Sequence, residues 1–196
     1  MKKFFDHSHF IINQKVQFLK IANEYQVMDD SGQTIGKIKE KVGGAAALLR
    51  LFMNKSMLPF HLDILDANDQ VQATISRGFT FFMSKITVKT PDGSPPFYIK
   101  QKFTMIKTVF TILDASEQKV GDIKGDWKAW NFSITDVSGT EIGRINKKWG
   151  GALKEIFTTA DKYMVTFDRQ DMEYHKKVAI VSAAITVDMV LKDGKN

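Results

Sequence analysis

The 196-residue chain has no cysteine, only four prolines, and no apolar run near the roughly 20 residues that a bilayer-spanning helix needs. The missing cysteine excludes disulfides, a thiol nucleophile, Cys-ligated zinc and S-palmitoylation together. The chain opens Met1-Lys2-Lys3-Phe4-Phe5, but Asp6, His7 and His9 break the segment before an apolar signal region develops, so secretion by that route is not expected. Acids are the scarcer charge, 22 against 28 Lys and Arg, which leaves +6 and a pI near 9.3. That surplus fits an anionic partner, nucleic acid or an acidic membrane surface, and equally an ordinary basic protein. What the chain does have is aromatics: 15 Phe, 3 Trp and 4 Tyr demand a packed core and exclude disorder.

The most informative feature is an internal repeat. Residues 25–45 and 132–152 align at a constant offset of 107, with 10 of 21 positions identical, where ordinary composition would supply about one or two. The unit reads as a β-hairpin: Tyr25 and Val27 alternate, Asp29-Asp30-Ser31-Gly32 turns, and Ile35-Gly36-Lys37-Ile38 returns. Weaker copies run through Leu62–Ile75 and Phe110–Ile123, the second with Glu117 where the first unit has Gly. Another hairpin surrounds Pro91-Asp92-Gly93, and segments near Phe10–Ile21 and Tyr163–Phe167 add strands. Ten or more short strands with regular turns mean an all-β sandwich or barrel.

Two segments break the pattern. Gly44–Met53 is Ala/Leu-rich and fits a short helix or a turn. Val178–Leu191 is apolar almost all round; as a helix it would be about 21 Å long, too short to span hydrocarbon. A helix apolar on every side must be surrounded, and a closed sheet would supply that shell while removing strand edges.

At this point the residues resemble a known family. Ile142-Gly143-Arg144-Ile145-Asn146-Lys147-Lys148-Trp149-Gly150-Gly151, then Lys154–Tyr163 and Phe167, are similar to the phospholipid scramblases, within the larger Tubby-like C-terminal and LURP-one-related group. Leu58-Pro59-Phe60, Arg77-Gly78-Phe79 and the closing Val187-Asp188 extend the likeness from about Tyr25 to Leu191. The resemblance implies one domain over 1–196: a roughly twelve-stranded closed antiparallel barrel, pseudo-twofold from the duplication, around a buried C-terminal α-helix. It also implies a calcium segment after the Phe-Thr block. Here that segment is thinned, its first acid falling on Thr159, with Asp161, Asp168 and Asp171 remaining. Calcium wants six to eight oxygens, so these three make at most a weak calcium site, and no cofactor is expected.

No catalytic constellation emerges. Asp29, Asp66, Asp92, Asp114 and Asp136 recur at matching turn positions, which Asx turns explain. Gly36/Gly143 and the pairs Gly43-Gly44/Gly150-Gly151 follow no phosphate-cradle pattern and mark bulges or barrel bends. The four histidines are scattered, and no serine sits in a nucleophile elbow. The basic residues carry more: Lys37, Lys39 and Lys41 alternate along one strand and share its outer face. Arg144 and Lys148 repeat Lys37 and Lys41, giving two basic stripes that Lys100 and Lys102 could extend. The expected role is non-enzymatic binding of acidic phospholipid through Lys37, Lys41, Arg144 and Lys148, in a cytoplasmic protein peripheral to the inner membrane face and possessing no nucleic-acid motif. The alternative is a soluble barrel that binds a small lipid, an apolar ligand or a protein partner.

Overall fold

The computed structural model describes residues 3–14, 24–43, 58–79, 85–103, 108–126, 128–147, 162–168 and 172–193. Twelve strands form one closed antiparallel barrel: β1 His9–Gln14, β2 Glu24–Met28, β3 Thr34–Glu40, β4 Phe60–Asp66, β5 Val71–Arg77, β6 Lys85–Lys89, β7 Phe97–Phe103, β8 Thr108–Leu113, β9 Lys119–Asp126, β10 Asn131–Asp136, β11 Glu141–Asn146 and β12 Lys162–Phe167. Each strand pairs with its chain neighbours, and β1 closes the ring against β12 with Phe10 opposite Val165. Closure removes exposed edges, as the apolar terminal segment requires. The stretch 44–53, read as a helix or turn, lies outside the described residues, as does the continuation of the first strand beyond Gln14.

The helix α1 (Tyr174–Asp193) occupies the lumen. It starts four residues before the apolar run, because Tyr174-His175-Lys176-Lys177 forms a polar first turn. Residues 178–189 are all buried, including Ser182, Thr186 and Asp188. Inward side chains of the strands, such as Ile38, Ile64, Ile75, Ile99, Phe110, Ile123, Phe132 and Ile145, meet it from every side. A short 3-10 turn, Phe4–Asp6, caps the end where α1 begins: Phe5 packs edge-on against Tyr174 at 5.8 Å and Phe4 sits 6.0 Å from Phe10.

Four hairpins (β2–β3, β4–β5, β8–β9 and β10–β11) use one turn. In each, the backbone N–H of the Asp at its head donates across the turn to a carbonyl, Asp29 to Gln33, Asp66 to Gln70, Asp114 to Gln118 and Asp136 to Thr140. Each Asp Oδ1 also accepts from backbone N–H groups two and four residues on, as in Ser138 and Thr140 onto Asp136 at 2.9 and 3.0 Å. The Asx-turn reading therefore holds for these four, and Asp92 binds the Ser94 N–H in the same way. Each hairpin then carries a bulge in its returning strand, at Ile35, Gln72, Val120 and Ile142. The next residue faces the barrel interior at a close crossing. A Cβ on Gly36, Gly121 or Gly143 would lie 2.1–2.5 Å from a backbone oxygen of the adjoining strand. The glycines mark bends, as expected. In a ring of twelve strands, the expected twofold would relate hairpins six strands apart, β2–β3 to β8–β9 and β4–β5 to β10–β11. The strongest sequence repeat instead joins β2–β3 to β10–β11, eight strands apart, because those two keep glycine in both the turn and the bulge.

Candidate functional site

The predicted headgroup residues sit on the outer wall. Lys37 and Lys39 project outward from β3 between the inward Gly36, Ile38 and Glu40, and Lys41 follows the strand, its N–H bonded to the His61 carbonyl at 2.8 Å. Arg144 projects from β11. Lys148 lies outside the described residues, so the second stripe is seen only through Arg144. The structure adds partners that spacing does not reveal. Lys37 pairs with Asp69 of the β4–β5 turn, Lys41 with Asp63 of β4, and Arg144 with Glu141 three residues before it. Lys37–Asp69 and Arg144–Glu141 are exposed pairs, the kind that contribute about 0–1 kcal/mol and exchange readily. Lys41–Asp63 differs, since the Asp63 side chain is only 6% exposed. Burial pushes that carboxyl's pKa up, but bonds from Lys41 and Thr74 outweigh it and hold it below the usual range. Withdrawing Lys41 would leave a buried charge short of a partner.

Across the barrel the balance is different. Glu117, in the β8–β9 turn, accepts from Lys100 at 2.8 Å and Lys85 at 2.6 Å. These two bonds hold its carboxyl at about 2. Asp122 of β9, also 6% exposed, takes Lys119 at 2.7 Å and Lys124 at 2.9 Å, with the Thr111 hydroxyl donating at 2.9 Å. Burial again pushes upward, and the lysines and Thr111 hold it low. Sequence reasoning reached Lys100 but not Lys85, Lys119 or Lys124; their alternation on β6 and β9 was the available signal, hidden because the sharing of acids is a cross-strand property. Lys102 stands on β7 opposite Val109.

Of the calcium candidates, Asp161 and Asp171 lie outside the described residues. Asp168 follows β12, is exposed, and donates its N–H to the Ile142 carbonyl at 3.0 Å. Among the described residues no three His, Asp or Glu side chains converge as metal ligands. Inside the barrel, Asp188 of α1 faces Tyr25, whose hydroxyl also donates to Met189 Sδ at 3.2 Å. Burial, then the Asp188 charge, pushes both Tyr25 and Tyr163 well above the ordinary phenol value. This buried group is bound into the core and not open to substrate. At the opposite end, a cavity of about 640 Å³ opens between Lys3, His7, Gln33, Asn68, Asp92 and Tyr174.

A closed twelve-strand barrel filled by its own helix is the architecture expected of the Tubby-like group. The sequence comparisons agree: the Scramblase family model matches residues 4–191, and the chain belongs to that family. It is 26% identical over 198 residues to human (Homo sapiens) phospholipid scramblase 2, covering 91% of this chain and 65% of that protein. It is 25% identical over 191 residues to "Altered inheritance rate of mitochondria protein 25" of Saccharomyces cerevisiae, covering 82% of this chain and 58% of that one. The chain thus spans about three fifths of these relatives. An X-ray structure of a protein from Arabidopsis thaliana shares the fold, with a TM-score of 0.52 and 11% identity over 92% of this chain and 91% of that one. Among the described residues no helix is long and apolar enough to cross a membrane.

Proposed function

We propose that the protein binds acidic phospholipid at a membrane surface without chemical turnover, and acts from the cytoplasmic side. Membership of the Scramblase family carries this reading. The geometry supports it in two ways. The lumen is filled by α1, so ligand contact falls to the outer wall, where Lys37, Lys39, Lys85, Lys100, Lys119, Lys124 and Arg144 stand among the described residues. Lys37, Arg144 and Lys148 enter as headgroup contacts, the first two by exchanging an exposed carboxylate for a lipid phosphate at little cost. Lys41 contributes its positive field while staying on Asp63. Whether bound lipid is then moved between leaflets belongs to the same reading as a second question. The cavity beside Tyr174 favours the alternative of a small ligand at the capped end.

Vesicle flotation tests the proposal. The protein should float with vesicles containing phosphatidylserine at low salt, detach as ionic strength rises, and ignore neutral phosphatidylcholine vesicles. Binding that is indifferent to headgroup charge and to salt would sink it. A fluorescent-lipid translocation assay on the same vesicles separates attachment from transport.

A further inference from the structure

We infer that the outer wall of β6–β9 is the face turned toward the anionic membrane, an orientation that rests on the lipid-binding reading above. The register sets the face. Lys85, Lys100, Thr111 and Asp122 stand directly opposite one another across the four strands, forming one outward row. A second row runs Thr87, Tyr98, Leu113, Lys119, with Lys124 opposite Val109 on the other side. Two lysines share Glu117 and two share Asp122, so each carboxylate leaves one positive charge uncompensated. Lys89, exposed at the end of β6, adds a third. The geometry of the Asp122 cluster matters as much as the count. Its carboxylate is sunk in the wall at 6% exposure, while Lys119 and Lys124 stand out at 42% and 46%. An approaching phosphate meets ammonium groups and not the acid behind them. Tyr98, with the Lys85 ammonium 3.7 Å from its ring centroid, places an aromatic among the cations, a side chain suited to the interfacial layer of a bilayer.

The β2–β5 wall has the opposite balance. Lys37, Lys39 and Lys41 are outnumbered there by Glu24, Asp29, Asp30, Asp63, Asp66 and Asp69. Counted in the same way, turns included, β6–β9 has Lys85, Lys89, Lys100, Lys102, Lys119 and Lys124 against Asp92, Asp114, Glu117, Asp122 and Asp126, so its lysines are the more numerous charge. Among the described residues, then, acids outnumber lysines on the β2–β5 wall and lysines outnumber acids on the β6–β9 wall, and the field of an acidic leaflet favours the second.

The test removes only the surplus. Lys89→Gln, Lys100→Gln and Lys124→Gln together leave Lys85 on Glu117 and Lys119 on Asp122, so neither carboxylate loses its last partner. The control, Lys39→Gln on β3, Lys147→Gln after β11 and Lys162→Gln on β12, changes the net charge by the same three units away from β6–β9. Partitioning of the full chain onto phosphatidylcholine vesicles with 30 mol% phosphatidylserine, about one in three lipids being anionic, is measured by co-sedimentation, with thermal melting of each variant alongside. The first variant should lose about 100-fold in partition coefficient, roughly a factor of five for each lysine, and the control about threefold or less. Lys89→Gln alone, which breaks no ion pair among the described residues, should lose about fivefold and guards against a folding defect in the triple variant. Equal losses in the two triples, or none from Lys89→Gln, would overturn the orientation and leave lipid binding standing. Failure of the unmodified chain to bind these vesicles would instead remove the lipid reading, and the orientation with it. Binding of a single-stranded oligonucleotide in place of vesicles, with the same lysine dependence, would also overturn the proposal.

Discussion

The hairpins β4–β5 and β8–β9 fold into the same turn and bulge as β2–β3 and β10–β11, yet they fill it with different chemistry. At the turn position held at φ between 59° and 87°, the second pair has Gly32 and Gly139 and the first has Asp69 and Glu117. Glycine takes that left-handed conformation without penalty, whereas Asp and Glu do not. Both acids reach back to a lysine on the preceding outward strand, Asp69 to Lys37 and Glu117 to Lys100. The β4–β5 and β8–β9 hairpins also hold the wall's buried carboxylates, Asp63 and Asp122, each bonded by the threonine directly across the ladder. The corresponding outward positions in β10–β11 are Ser133 and Arg144. One backbone motif thus serves twice, once as a plain connection and once as the anchor for a charged outer face.

The largest test of that equivalence lies at the bulge. Gly143→Val should cost more than about 3 kcal/mol, because its Cβ would lie 2.2 Å from the Thr166 oxygen. Ala73→Gly, at the matching place in β4–β5, should cost only about 0.5–1 kcal/mol, since the β5–β6 ladder begins at Thr74 and leaves Ala73 room. Chemical denaturation of the two variants would show whether the neighbouring strand makes the difference.

A smaller effect probes the lumen, where the repeat puts Tyr25 and Phe132 at matching positions. Tyr25→Phe should destabilise by about 1–3 kcal/mol, since it removes the buried hydroxyl that bonds Met189 Sδ and faces Asp188. Phe132→Tyr should cost a similar amount for the opposite reason, a hydroxyl added to a fully buried ring that packs against Trp130. Were Tyr25→Phe neutral, the two halves of the lumen would be interchangeable. At the turn, Asp29→Ala removes the acceptor of Ser31 and Gln33 and should cost about 1 kcal/mol, read as a fall in thermal midpoint.

Acid should separate the two hairpin types. Asp63 and Asp122 are held below their unfolded value, so their contribution is present above about pH 4 and is lost as pH falls through the lower folded value. Glu117, at about 2, follows the same sign over the same window. Asp136 and Glu141 in β10–β11 are lowered too but stand more exposed than Asp63 and Asp122, so amide exchange measured down from about pH 4 should loosen β4–β5 and β8–β9 more than β10–β11. Lys119→Met with Lys124→Met should move the loss in β8–β9 to higher pH. Simultaneous loosening of all four hairpins would mean that acid acts through global repulsion. The smallest expected change is Glu117→Gly, where relief at the turn offsets two exposed ion pairs, and the melting point should stay within about 2 °C.

Most of the fold was legible in the sequence because it is local. An Asx turn joins atoms at most four residues apart, so Asp29, Asp66, Asp114 and Asp136 announce it, and alternation sorts inward Ile38 from outward Lys37 without knowledge of any neighbour. The uniformly apolar Val178–Leu191 requires an enclosure for the same reason. Its true start at Tyr174 was less visible, because the first helical turn carries charged side chains whose surroundings are set by the barrel's end. The charged wall was not legible at all beyond the positions of its lysines. Lys37 and Asp69, like Lys85 and Glu117, are 32 residues apart, and Lys41 and Asp63 are 22 apart. Composition and repeat determined a β-hairpin array that must close around an apolar segment. Only closure decided which lysines share an acid and which keep their charge, because strand register and barrel shear, not chain spacing, bring those side chains within hydrogen-bonding distance.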